Sequence, residues 1–237
     1  MTLWGQSHAA SQNRCLPPQS EVHLWQIPLT GAWQSAVDIL SSDERRRLER
    51  YCFERERRRF ALARSGLRQI LACYTPWPAA ALEFTYGAHG KPALAWPLQF
   101  NLAHSGDLAL CAVGRQALGI DIEQLRPVAR LDRLVQRCLS TTEQQVLAQA
   151  PTQHREALFF TYWTCKEAYL KATGQGLSVP LDSISIALDA QGAGQVEAEH
   201  RWRLRQLSTP LGYRAAIAIS PDVQVLRRCP GGEIESG

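Results

Sequence analysis

Lysine is almost missing from this chain: of its 26 basic residues only Lys91, Lys166 and Lys171 are not arginine. On a solvated surface the two cations are nearly equivalent, but a compact ammonium with three rotatable donors fits against crowded oxygens where a planar guanidinium does not. The positions of these lysines are therefore informative. Other absences exclude whole classes. The seven cysteines include no C-x-x-C pair, so neither a thiolate zinc site nor a disulfide framework is indicated, and reduced, mostly buried thiols in a cytoplasmic protein are expected. No positive segment followed by an apolar run opens the chain, and no apolar run has the length of a membrane span, so a soluble, unexported protein is expected. A glycine-rich phosphate loop, G-x-G-x-x-G and H-E-x-x-H are all lacking.

What is present is ordinary for a folded protein: 45% hydrophobic and 20% charged residues over 237 positions supply a sizeable core. The formal charge of +4 favours an anionic ligand or partner without singling out nucleic acid. Residues 1–20, with Pro17-Pro18, and 222–237, with Pro230-Gly231-Gly232, are expected to be loosely held. Between them, Glu21 to Leu29 alternates like a strand, and Ser41-Ser42-Asp43-Glu44 caps a helical pattern expected to run to Tyr74, where Pro76 stops it. Short strands are expected at Leu82–Tyr86, Phe100–Leu102, Leu108–Val113 and Gly119–Glu123. Ser140-Thr141-Thr142-Glu143 has the capping-box pattern, and Thr152 begins a second long helix ending near Gly174. Strands return at Ser183–Leu188, Trp202–Leu207 and Tyr213–Ile219. Strand, long helix and further strands thus follow one another twice. The expected fold is α+β, with two similar α+β halves, 21–116 and 117–221, related by a pseudo-two-fold axis and an active site at their interface.

Candidate chemistry concentrates in a few places. In G-I-D-I-E, strand alternation sends Asp121 and Glu123 to one face and Ile120 and Ile122 to the other. Two adjacent carboxylates repel unless a hard cation such as Mg²⁺ or a proton intervenes; two acids on a solvated strand face are the plainer explanation. In K-E-A-Y-L-K, Glu167 and Lys171 are four apart and share a helix face, while Lys166 points elsewhere. An exposed pair of this kind contributes only about 0.3–0.5 kcal/mol. Phe159, Phe160, Tyr162, Trp163, Tyr169 and Leu170 nevertheless make most of the helix apolar, so Glu167 and Lys171 are expected to be buried and to need partners. Asp121, Glu123 and a metal would supply them. Phe100-Asn101-Leu102-Ala103-His104-Ser105 puts one histidine where a strand meets a turn, a position more often structural than catalytic. His89-Gly90-Lys91-Pro92 is a turn with a cation at its tip, suited to a phosphate. The arginine run from Glu44 to Phe60 reads mainly as a solvated helix.

Taken in order, H-G-K-P, F-N-L-A-H-S, G-I-D-I-E and W-T-C-K-E-A-Y-L-K-A-T-G-Q-G-L resemble the 4'-phosphopantetheinyl transferases of the surfactin-synthetase-activating (Sfp-like) branch, over roughly residues 21 to 220. The resemblance implies a monomer that transfers the 4'-phosphopantetheine arm of coenzyme A to a serine of an apo carrier protein, releasing adenosine 3',5'-bisphosphate. It implies Mg²⁺ as the metal, held by Asp121, Glu123 and Glu167, and Lys171 at the reacting phosphate. Arg47, Lys91 and His104 would bind the nucleotide end, with Arg47 at the 3'-phosphate. Glu167, directly or through a water, is the candidate base, and a water on the metal is the alternative. Ala103 stands where the family usually has serine, so one hydroxyl donor is missing. Arg126, Arg130, Arg133 and Arg137 are candidates for docking an acidic carrier, or else a solvated helix.

Two other classes remain open to the sequence. One is a Mg²⁺-dependent phosphodiesterase or nuclease, using the same carboxylates on a phosphate backbone. The other is a non-catalytic, arginine-rich binding module. Neither accounts for all three lysines lying inside the matched motifs. No membrane or nucleic-acid partner is expected.

Overall fold

A computed structural model of the chain describes residues 16–87, 89–189, 193–196 and 199–229. The first part contains β1 (Glu21–Pro28), α1 (Ser42–Glu49), α2 (Glu54–Ala72), β2 (Thr85–Tyr86), β3 (Pro92–Ala93), β4 (Gln99–Ser105) and β5 (Leu108–Gly114). The second contains β6 (Leu118–Gln124), α3 (Leu131–Cys138), α4 (Thr141–Gln149), α5 (Thr152–Thr173), β7 (Ile186–Leu188), β8 (Ala193–Val196), β9 (Glu199–Gln206) and β10 (Tyr213–Ile219). A last strand, β11 (Val225–Arg228), follows. The fold is α+β. One sheet has the order β11-β1-β5-β4, the other β6-β10-β9-β8-β7, and β2 and β3 form a small ribbon. In each large sheet the opening strand pairs antiparallel with the last strand of a later hairpin: β1 with β5 and its partner β4, β6 with β10 and its partner β9. The topology therefore occurs twice, as the repeated pattern in the sequence suggests.

Four expectations about elements need correction, the shortest being the strand expected at Ser183–Leu188, which is strand only at Ile186–Leu188 because Leu181–Ser183 closes a 3-10 turn. The helix expected to run unbroken to Tyr74 is two helices. Glu44, almost fully buried, closes the cap on Ser41 and also takes Arg64 and Arg68 of α2, so α1 folds back along α2 and the chain breaks near Tyr51. Tyr51 then packs on Phe60 with ring centroids 5.4 Å apart. Leu82–Tyr86 is strand only at Thr85–Tyr86, because the buried Arg68 guanidinium captures the carbonyls of Ala79 and Leu82 and holds that segment out of a sheet. The segment after 222 is not loose as far as Arg228: β11 pairs parallel with β1, and Arg227 forms an ion pair with Glu21. The second half meets expectation more closely. The Ser140–Glu143 capping box is present, and Gly174 ends α5 in the left-handed conformation at φ 72°.

Helix α5 lies across β6 and β10 over a core that includes Phe159, Phe160, Tyr169, Leu170, Ala216 and Ala218. Its approach depends on Gly119. A Cβ there would stand 2.1 Å from the carbonyl oxygen of Ala168 and 2.4 Å from the amide nitrogen of Ala172, inside backbone that cannot move aside. With glycine the helix comes down onto β6, and Glu167 and Lys171 reach the strand's carboxylates. No helix among the described residues is long and apolar enough to cross a membrane.

Lys166 is fully buried. Its ammonium meets Glu143 Oε2 at 2.5 Å and donates to the carbonyls of Cys138 at 2.8 Å and Leu181 at 2.9 Å. It thus ties the end of α3 and the capping residue of α4 to α5. Lys166→Met is expected to leave Glu143 charged and unpaired in the core, costing about 3–5 kcal/mol. Thermal melting should show a fall of about 10 °C or more. A midpoint within about 2 °C of the parent protein would contradict this role.

Candidate active site

The two large sheets meet where β6, an edge strand of one, runs beside β4, an edge strand of the other. They are joined here by side chains. Asn101 Oδ1 accepts from the Ile120 amide at 2.8 Å, and Ser105 Oγ accepts from the Gln124 amide at 3.1 Å, while both side chains are buried on the same face of β4. Lysines take carbonyls on the same open edge of β6: Lys91 Nζ donates to Leu118 O at 2.9 Å and Lys171 Nζ to Ile120 O at 3.3 Å. An exposed strand edge leaves backbone groups to satisfy, and these four side chains do so.

Asp121 and Glu123 leave β6 towards α5. Asp121 is buried, with Lys171 Nζ 2.6 Å from Oδ1 and no partner for the buried Oδ2. Burial pushes its pKa up to about 7, with Glu167 and Glu123 adding to the rise and Lys171 opposing it. Glu123 accepts a hydrogen bond from Ser105 Oγ at 2.7 Å and stands 3.6 Å from Arg126. Glu167, half-buried on α5, is also raised, first by burial and then by Glu123, against the pull of Lys171. The Lys171 side chain keeps 30% of its surface open, so it remains accessible to a ligand. Among the described residues, no three His, Cys, Asp or Glu side chains form a ready-made metal cluster. The residues nonetheless fit a hard divalent cation: Asp121 has an unpartnered buried oxygen and a pKa raised by burial, and the charges of Glu123 and Glu167 reach it.

His104, on β4, is exposed, yet the surrounding protein and the cations Lys171, Arg59 and Arg47 hold its pKa below the usual imidazole value, against the pull of Glu123. Arg47 on α1 lines a cleft of about 570 Å³ with Asp43, Arg46, Arg50 and Tyr51, and its guanidinium stands 5.4 Å from the Phe60 ring centre. Lys91 behaves differently from the sequence expectation. Two of its three donors are used on Leu118 O and Lys171 O, at 2.9 and 2.7 Å, so it is an internal tether more than a cation at a turn tip. The sequence marks Ser105 only as a serine beside His104 where the strand meets a turn, and does not mark Asn101. Their spacing of four on a strand, which gives one face, was the available signal.

Two family models divide the chain between them. Residues 23–116 match "4'-phosphopantetheinyl transferase, N-terminal", and residues 117–218 match the 4'-phosphopantetheinyl transferase superfamily. The 4'-phosphopantetheinyl transferase HetI of Nostoc sp. is 41% identical over 209 residues, covering 84% of this chain and 88% of its own. Sfp of Bacillus subtilis, also a 4'-phosphopantetheinyl transferase, is 27% identical over 192 residues, with 78% and 85% covered. A holo-(acyl-carrier-protein) synthase from Bacillus anthracis, solved in complex with CoA (3',5'-ADP), has 24% identity and a TM-score of 0.38, covering 43% of this chain and 92% of its own. The chain belongs to the 4'-phosphopantetheinyl transferase family. It is an enzyme that moves the phosphopantetheine arm of coenzyme A onto carrier proteins.

Proposed function

We propose that the side chains gathered between β6, α5 and β4 carry out this transfer, with Asp121, Glu123 and Glu167 holding Mg²⁺ and Lys171 meeting the phosphate that is transferred. The observation that carries the proposal is the buried, unpartnered Oδ2 of Asp121 beside the partly open Lys171. A divalent cation there would offset negative charge on the diphosphate of coenzyme A. The hydroxyl of the carrier serine attacks the phosphorus bearing the pantetheine. A new P–O bond forms, the P–O bond to adenosine 3',5'-bisphosphate breaks, and the hydroxyl proton goes to Glu167, directly or through a water. The ammonium of Lys171 stabilises charge gathering on the phosphoryl oxygens. No observation favours a phosphodiesterase or nuclease.

Arg47 and His104 would receive the 3'-phosphate end. Arg47→Ala and His104→Ala are each expected to raise KM for coenzyme A by about tenfold, the loss of a charge-assisted contact, with a much smaller change for 3'-dephospho-coenzyme A. Steady-state kinetics with both substrates test the placement; equal losses with the two would contradict it.

Docking of the carrier would use the exposed Arg126, Arg130, Arg133 and Arg137 beside the site, giving a salt-sensitive association rate. One chain carries all the residues named, which supports action as a monomer. The free thiols of Cys52, Cys73, Cys111, Cys138, Cys165 and Cys229 support a reducing, cytoplasmic setting.

The carboxylates also give the site a pH dependence. In the metal-free protein burial keeps the Asp121 carboxyl protonated to about pH 7, whereas the unfolded chain releases the proton near the ordinary aspartate value of 3.8. Between these values the folded state binds more protons, so stability falls as pH rises through the window. A metal needs the deprotonated carboxylate, so Mg²⁺ should stabilise more at pH 8 than at pH 5. Thermal melting with and without Mg²⁺ at both pH values checks this. An equal Mg²⁺ shift at both would contradict the assignment of Asp121.

A further inference from the structure

All three lysines bond backbone carbonyls inside the molecule. Lys166 does so within the second half, and Lys171 within the site. Lys91 comes from the other half, on the segment between β2 and β3, and its two bonds land on the two elements that build the catalytic cleft. One goes to Leu118 O at the start of β6, the other to Lys171 O in the last turn of α5. The second carbonyl is one of the four that end a helix without a partner inside it. A cation there also meets the negative end of the helix dipole. The same residue, Lys171, places its side-chain ammonium on Asp121 and Ile120 O, so Lys91 grips by its backbone the residue whose side chain enters the site.

We infer that Lys91 is a positioning residue for the transfer, tying the last turn of α5 to the open edge of β6 so that Lys171 and Asp121 stay opposed. The inference rests on the assignment of Lys171 to the transferred phosphate. It separates Lys91 from Arg47 and His104, which act on substrate binding. The tether also accounts for lysine at this position. One tetrahedral ammonium reaches two carbonyl oxygens on different elements, whereas a guanidinium directs its donors in one plane and is too large for a half-buried gap between a strand and a helix. Displacing Lys171 by about 1 Å is enough to slow transfer on the order of a hundredfold.

The test is steady-state transfer to an apo carrier by Lys91→Met, which keeps the length of the stem and removes the donors. The expected result is a kcat lowered by about ten- to a hundredfold, with KM for coenzyme A within about twofold of the parent. Lys91→Gln keeps an N–H donor on a shorter stem and gives the same split with less risk to folding. Lys91→Ala with added n-propylamine is expected to recover part of kcat, because a free ammonium can occupy the space between the two carbonyls. A raised KM at unchanged kcat would overturn the inference in favour of nucleotide contact. A lower melting temperature with both constants unchanged would reduce Lys91 to a stabilising residue and overturn it equally. Lys171→Arg measured alongside keeps the two ideas apart: if it turns over like the parent, the assignment of Lys171 is at fault, and if it is inactive while Lys91→Met is normal, only the tether is.

Discussion

Asp121→Asn is expected to lower transfer to an apo carrier by about a hundred- to a thousandfold, the scale seen when one preorganised electrostatic contact to a transition state is removed. The substitution preserves shape and hydrogen-bonding length, so the loss would come from charge. It should not harm the fold. Burial already favours the neutral form of this carboxyl, whose pKa is near 7, so a neutral amide is tolerated at neutral pH and above. Activity and stability therefore diverge. The melting temperature at pH 8 is expected to match or exceed that of the metal-free parent, while the stabilisation by Mg²⁺ disappears. A folded Asp121→Asn protein that modifies its carrier at the parental rate would remove Asp121 from the site.

Lys171→Arg should lower kcat by about a hundredfold although the charge is kept. The ammonium lies between Asp121 Oδ1, at 2.6 Å, and the carbonyl of Ile120, at 3.3 Å, with 30% of the side chain open to solvent. A guanidinium prefers to present paired donors to one carboxylate, which would draw it across Asp121 and into the space of the phosphate. The measurement is kcat at saturating coenzyme A, with melting to confirm folding. Parental turnover would mean that any cation serves, and that the scarcity of lysine says nothing about the site.

The second half of the molecule was the more legible in sequence, for local reasons. The Ser140–Glu143 capping box and the glycine closing α5 are signals carried by neighbouring residues, and each has its expected element. Where the sequence misled, the deciding partner lay far along the chain. Nothing between Ser41 and Tyr74 announces that Glu44 will be buried by Arg64 and Arg68, and that pairing divides the helix. Nothing near Val225 shows that β1 has a free edge to receive it. The site follows the same division. Asp121 and Glu123 could be assigned to one face from alternation, and Glu167 and Lys171 to another from helical spacing. Bringing these faces together required Gly119, whose meaning as a close-approach position emerges only from the packing of α5. The two carbonyls that Lys91 bonds lie 27 and 80 positions away, so no local signal announces those contacts.

Whether transfer depends on a divalent metal held at Asp121 is decided by the intact mass of an apo carrier incubated with coenzyme A. The parent protein with Mg²⁺ should convert the carrier to its phosphopantetheinylated form, and the same mixture with the metal chelated should leave it unchanged. Asp121→Asn should leave it unchanged in both. Full conversion in the presence of chelator, or by the Asp121→Asn protein, would contradict the account.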